Sequence, residues 1–318
     1  MDFSCAEQRG ARFAESYGRT VALPGVVLQA MDAVVLATVL LFAGLIIAFT
    51  ARIDDPWPLL LRICIWGLLY VASLVLQRRI SAPGWRALLR MGSVQVMFAQ
   101  IYLIAHPLQL IFVHIWQDPA ILRLENALFG VQPTLWLQRF VSPGLTEWMM
   151  FCYVIYLFIY PALGGLIYLR WGEKHLEDYL FVLTLANVTC FLGFLVYPVA
   201  GPLNYMPGEF TVPLKGWLFT AAGEYIRSNI HLVGGNLPSP HCAIATVMWL
   251  MAYRYRRLAF WLLTPVILCL CVSTFYGRYH YVSDSIAGIA TGLLVLGLAP
   301  LLLRGWNFLI GRGSKGKA

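Results

Sequence analysis

Charge is what this sequence has least of. Asp, Glu, Lys and Arg together supply only 12% of the chain, against 60% hydrophobic residues, whereas a soluble globular domain carries about 25% charged and 45–50% apolar residues. That scarcity excludes a soluble protein. Disulfide and zinc spacings are also missing: of seven cysteines, Cys64, Cys152, Cys190, Cys242, Cys269 and Cys271 fall in or beside apolar segments, where they are expected to act as small buried hydrophobes. The opening stretch, MDFSCAEQRGARFAESYGRT, has no apolar core beside a small-residue cleavage site and does not read as a secretory signal. The first spanning helix is therefore expected to do the targeting. The net charge of +8 is scattered over short loops without the basic stripe that nucleic acid requires. Neither nucleic acid nor a cofactor or metal is expected as a partner, and internal repeats and low-complexity tracts are missing too.

What the chain does have is long apolar runs near the ~20 residues that a helix needs to cross hydrocarbon, without the alternation of a barrel strand. The expected fold class is all-α, a polytopic membrane bundle. About eight spans are predicted, at 31–50, 59–77, 94–115, 147–169, 179–199, 240–253, 259–276 and 284–304. Pro56, Pro58, Pro83, Pro198, Pro202 and Pro238 punctuate them, as prolines do at helix ends. The sixth span is short, but its flanking bases can snorkel.

Short loops rich in Lys and Arg stay cytoplasmic. One set of loops holds Arg9, Arg12 and Arg19, Arg78, Arg79, Arg86 and Arg90, Arg170 and Lys174, Arg254, Arg256 and Arg257, then Arg304, Arg312, Lys315 and Lys317. The other set holds only Arg52, Arg123, Arg139, Lys215, Arg227 and Arg278. The bias predicts cytoplasmic termini, with the second set periplasmic, extracellular or lumenal. Two loops of that second set are long. Trp116 to Thr146 has the Trp, Leu and Phe spacing of a helix lying in the interface, and Ala200 to Leu237 is rich in the Gly and Pro that make turns. A loop this long is more often functional than idle.

Two apolar segments between Leu237 and Asp284 carry a histidine at each outer edge. A chain that enters the membrane at His241, turns at Arg254 to Arg257 and returns must bring His280 back to the face it left. Asp284 stands four residues after His280, so a helix starting at His280 would place both on one face. A carboxylate holding one ring nitrogen leaves the other free to attack or take a proton. His241 follows Ser239 at a helix start, where backbone N–H groups favour an anion such as phosphate, and there it is placed to donate a proton. Arg278 adds positive charge at the same face. An H-x-x-x-D spacing or a PSPH string alone is weak, since Pro and Ser open many helices. Their convergence on one face, by an orientation argument that did not use them, is what carries weight.

PSPH followed by YGRYHYVSD resembles the second and third motifs of the type 2 phosphatidic acid phosphatase superfamily. YPVAGPLNYMP resembles the P-x-x-G-P segment of its inositol phosphorylceramide synthase-like, aureobasidin-resistance-type branch, as does LENALFGVQPTLWLQ. The resemblance covers roughly Pro119 to Leu303. It implies a six-helix core and metal-independent phosphoryl transfer through a phosphohistidine, with His280 as nucleophile, Asp284 as its orienter and His241 as the acid that then activates the acceptor. It also implies a lipid phosphate as substrate: a phospholipid, polyprenyl phosphate or sphingolipid. On this basis residues 1–115 form an N-terminal region of about three spans, 116–305 a phosphatase- or phosphotransferase-like domain, and 306–318 a basic cytoplasmic tail.

The chain departs from the family pattern twice. Ser273-Thr274 stands where the phosphatases have Ser-Arg, and Leu203 where an Arg often follows Gly-Pro. A transferred phosphate needs cations. Arg278, Lys215 and Arg227, with Ser239, are the candidates to hold it. Water and an alcohol such as inositol both stay open as acceptors. The alternative class is a transporter or scaffold that kept the fold; it should show buried charge at mid-membrane, for which Arg62, near a span end, is the basic candidate. His106 and His114 read as packing or interhelical polar contacts, and Glu173, Lys174, His175, Glu177 and Asp178 as a solvated loop.

Overall fold

The computed structural model describes residues 20–23, 26–229 and 232–315; Arg9, Arg12, Arg19 and Lys317 lie outside them. A short antiparallel ribbon of β1 (Val21–Leu23) and β2 (Val26–Leu28) comes first. Among the described residues, ten helices longer than two turns follow: α1 (Ala30–Ala48), α2 (Pro56–Arg79), α3 (Pro83–Ala105), α4 (Asp118–Phe129), α5 (Pro143–Trp171), α6 (Glu173–Val196), α7 (Leu218–Asn229), α8 (Pro240–Tyr255), α9 (Arg257–Tyr276) and α10 (Val282–Lys315). Pro56, Pro83, Pro143 and Pro240 each occupy a first helical turn, where the missing N–H costs nothing. Gly172, with φ +82°, breaks α5 from α6 in a conformation that favours glycine.

Among the described residues, α1, α2, α3, α5, α6, α9 and α10 are long and apolar enough to cross a bilayer. The protein is an integral, multi-pass membrane protein. The expected sixth crossing is α8, whose 16 residues reach about 24 Å. It is packed among α6, α9 and α10, so neighbouring helices rather than lipid cover most of it.

Direction alternates along the bundle. Gln109, just past α3, meets Gly235 ahead of α8, and Thr146 in the first turn of α5 bonds Tyr276 at the end of α9 at 2.7 Å. Helices α3, α6 and α9 therefore arrive, and α5, α8 and α10 leave, at one common end. Close approach of α8 to α10 depends on Gly288 and Gly292, a small-residue pair at i, i+4. A Cβ on Gly288 would come within 2.4 Å of the Ser239 carbonyl, and one on Gly292 within 2.7 Å of the Ala243 carbonyl.

At the opposite end, the structure corrects several expectations. Helix α3 begins at Pro83 rather than near residue 94, so Arg90 lies two turns inside it instead of in a loop. There the guanidinium is buried and meets Asp32 of α1 at 2.6 Å and Glu177 of α6 at 2.7 Å, while the Tyr70 hydroxyl of α2 donates to Asp32 at 2.7 Å. Arg62, the basic candidate for charge inside a span, is exposed and bonds Gln100, so the buried basic residue inside a span is Arg90. The stretch from Glu173 to Asp178 is the start of α6 rather than a solvated loop. Glu177 and Asp178 are buried there, with Asp178 bonded to the Tyr255 hydroxyl and 3.7 Å from Arg254. Residues 306–315, expected as a tail, continue α10.

Candidate active site

Three loops meet at the common helix end, and each is held by a specific contact. The first is the Pro198–Tyr205 loop. Gly201 adopts φ +88° there, and a Cβ on it would lie 1.7 Å from the Asn236 side chain and 2.9 Å from the Tyr279 carbonyl. The second runs into α8 through Gly234, Gly235 and Asn236; Gln109 accepts the Gly235 N–H at 2.5 Å, and Asn236 donates to the Tyr279 carbonyl at 3.0 Å. The third is the turn from Gly277 to Tyr281. Arg278 takes φ +69° in it, and the Tyr279 and His280 N–H groups both donate to the Thr274 carbonyl at 3.0 Å.

This turn brings His280 against Asp284 without the helical register that the spacing predicted. Helix α10 starts at Val282, so the two side chains approach across a turn. His280 Nδ1 lies 3.6 Å from Asp284 Oδ2, beyond hydrogen-bond length, and Oδ2 accepts the Tyr281 N–H at 2.9 Å. Among the described residues neither His280 Nδ1 nor Asp284 Oδ1 has a hydrogen-bond partner, and both are buried. Burial pushes the His280 imidazole down to about 4, opposed by the Asn236 backbone, which keeps the ring neutral at pH 7.

His241 faces His280 edge-on, with ring centroids 5.6 Å apart and planes at 68°. The two histidines are thus brought to one end of the bundle. Tyr153 of α5 stacks on His241 at 4.8 Å and on Tyr279 at 4.6 Å, so that it lies between them. Ser239 caps α8 by accepting the Cys242 N–H at 3.4 Å, and its own N–H donates to the Asp284 carbonyl at 3.0 Å. The start of α8 and the start of α10 are therefore tied directly together.

A family model described as the PAP2 superfamily matches residues 119–298, more than half of the chain. The chain belongs to the PAP2 superfamily. No curated protein and no solved structure matches it. The PAP2 segment includes both histidines, Asp284 and all three loops, and leaves out α1 to α3.

The expected anion-holding residues of this PAP2 site occupy different places. Arg227, on α7, lines a cavity of about 360 Å³ together with His241 and His280, and pairs with Glu224. The N-terminus of α7 is fixed by Glu147, whose carboxylate accepts the Trp217 and Phe219 N–H groups at 2.7 and 2.6 Å. Arg278 is buried, donates to the Val212 carbonyl and stacks over Phe210 at 4.6 Å. Lys215 is exposed, Ser239 is buried in its capping role, and neither lines the cavity. Leu203, where the sequence resemblance led us to expect an arginine, donates its N–H to the Arg278 carbonyl at 3.1 Å. Thr274 is buried and bonds Ser285 at 2.8 Å. His106 and His114 hold local turns, His106 with Gln109 at 3.0 Å and His114 with the Leu110 carbonyl at 3.1 Å.

Two acids missed by sequence reasoning organise the PAP2 loops from α4. Asp118 accepts the Ala200 and Gly201 N–H groups at 2.8 and 2.9 Å and the Tyr281 hydroxyl at 2.9 Å. Glu125 accepts the Ser283 N–H at 2.7 Å, placing negative charge at the start of α10, where the helix dipole favours it. The signal was present: Asp118, Ile121 and Glu125 recur at i, i+3 and i+7 and share the buried face of α4.

Proposed function

We propose that the protein is a lipid-phosphate phosphatase or phosphotransferase working through a phosphohistidine. The observation that carries this reading is the facing pair His241 and His280, with Asp284 3.6 Å behind His280, at the wall of one cavity in a membrane bundle. His280 Nε2 attacks phosphorus while its Nδ1–H turns to Asp284, which stabilises the developing positive charge. The P–O bond to the lipid breaks, and His241 gives its proton to the leaving alkoxide. His241 then takes a proton from the acceptor, whose oxygen attacks the phosphohistidine and restores neutral His280. Arg227 stabilises the charge on the transferred group. With water as acceptor, a phosphomonoester gives inorganic phosphate; with an alcohol, a new phosphate ester forms. The likeness to the inositol phosphorylceramide synthase-like branch favours transfer to an alcohol such as inositol, with a phospholipid donor leaving diacylglycerol. The Lys and Arg asymmetry favours an extracytoplasmic site.

Purified protein is incubated with labelled phosphatidylinositol, phosphatidic acid or polyprenyl diphosphate, with and without ceramide or inositol, and with a strong chelator in a parallel arm. Turnover that survives chelation is expected. An inert protein on every substrate supports the scaffold class, and activity lost on chelation and restored by magnesium removes the phosphohistidine mechanism.

A further inference from the structure

Part of the wall of the histidine cavity comes from α3, which lies wholly outside the matched PAP2 segment. Gln95, Phe98, Ala99 and Tyr102 of α3 line the same cavity of about 360 Å³ as His241 and His280, a volume in the range of small-molecule sites. Helix α5 adds Tyr153, Tyr156 and Leu157 to the lining. Helix α3 is held at both ends: Arg90 ties it to α1 and α6, and Gln109 just beyond it ties it to Gly235. Farther from the loops, the buried Phe98 ring meets buried Tyr160 of α5 at 6.4 Å. Beside that contact the cleft is open: Ala99 and Leu157 both line the cavity and are both exposed. Each sits well inside a membrane-spanning helix, so the opening faces hydrocarbon rather than water.

We infer that the apolar chain of a lipid phosphate enters sideways between α3 and α5, past Ala99 and Leu157, and lies along Phe98 and Tyr102 while its phosphate reaches the histidines. Helix α3, contributed from outside the family segment, thereby sets which chains are accepted. The small side chain of Ala99 leaves the entrance open, and aromatic rings line the path beyond it. This inference rests on the proposed phosphotransfer at His280.

The test compares dioleoyl phosphatidic acid with water-soluble dibutyryl phosphatidic acid on wild type, Ala99→Trp and Leu157→Trp. Both substituted positions are exposed to lipid, and they lie on different helices, so misfolding of one variant leaves the other to decide. Each tryptophan is expected to cut kcat/KM for the long-chain substrate at least tenfold more than for the short-chain one. Equal losses on both substrates, or no loss on either, overturn the entry route while leaving the function standing. Wild type inactive on both of these and on every lipid of the labelled panel removes the function, and the route falls with it.

Discussion

The Asp118 carboxylate, at the first turn of α4, accepts the hydroxyl of Tyr281, the residue after His280, at 2.9 Å. With the same two oxygens it holds the Ala200 and Gly201 N–H groups, so one buried acid fixes two of the three loops around the histidines. Asp118→Asn turns one acceptor into a donor facing N–H groups and should lower kcat while leaving KM nearly unchanged. Tyr281→Phe removes a single hydrogen bond worth about 1.5–3 kcal/mol to a charged group and should cost less activity than Asp118→Asn. Comparing kcat and KM for the two variants, with thermal unfolding alongside, checks the order; equal activity in Asp118→Asn and wild type contradicts it.

Arg90 predicts an asymmetry in stability. Removing it strands Asp32 and Glu177, both buried, and breaking a buried pair costs about 3–5 kcal/mol. Replacing all three with Met or Leu should recover much of that loss, since apolar packing of similar volume is often neutral or stabilising. Thermal unfolding in detergent reads both. A triple variant less stable than Arg90→Met alone refutes the clamp.

The depressed His280 imidazole gives a pH dependence with a definite sign. It titrates near 4 in the fold and near ~6.5 when unfolded, so the unfolded chain binds more protons between those values. Stability contributed by His280 is full above about pH 6.5, falls as pH drops and is gone near 4; from pH 7 to 5 it loses about 2 kcal/mol. The His280→Gln variant should lack this component. Parallel acid sensitivity in the two proteins would falsify the assignment. In kcat/KM, the acid limb belonging to the nucleophile should likewise fall near pH 4.

The proposed sidedness rests on the Lys and Arg bias between the loops at the two ends of the bundle. A cysteine at Lys215, at the histidine end, should react with an impermeant thiol reagent on intact cells, whereas one at Arg78 should react only after permeabilisation. The reverse pattern inverts the topology.

The sequence made the histidine end legible because proline, apolar length and a returning hairpin are all local signals. His241 and His280 had to share one face if α8 and α9 were antiparallel; tertiary packing then sets their rings 5.6 Å apart. Arg90, Glu177 and Asp178 were misread because a charge counts as solvated until its partner is known, and the partners lie on other helices. Asp118 and Glu125 were missed for the same reason: a polar residue on an amphipathic helix reads as the wet face, and only tertiary contact shows that the acids are on the buried one. His280 and Asp284 do not share the helical face that their spacing suggested, because the helix starts only at Val282; the preceding turn brings them to 3.6 Å instead.

The central claim is that His280 is the nucleophile and His241 the acid. The His241→Ala protein is mixed with an activated aryl phosphate whose leaving group needs no proton, and the covalent label is mapped. The first step should proceed while the second, deprived of its base, slows by about 10²–10⁴-fold, so acid-labile label accumulates on His280 and none forms in His280→Ala. Label on another residue, or turnover by His280→Ala, contradicts the account.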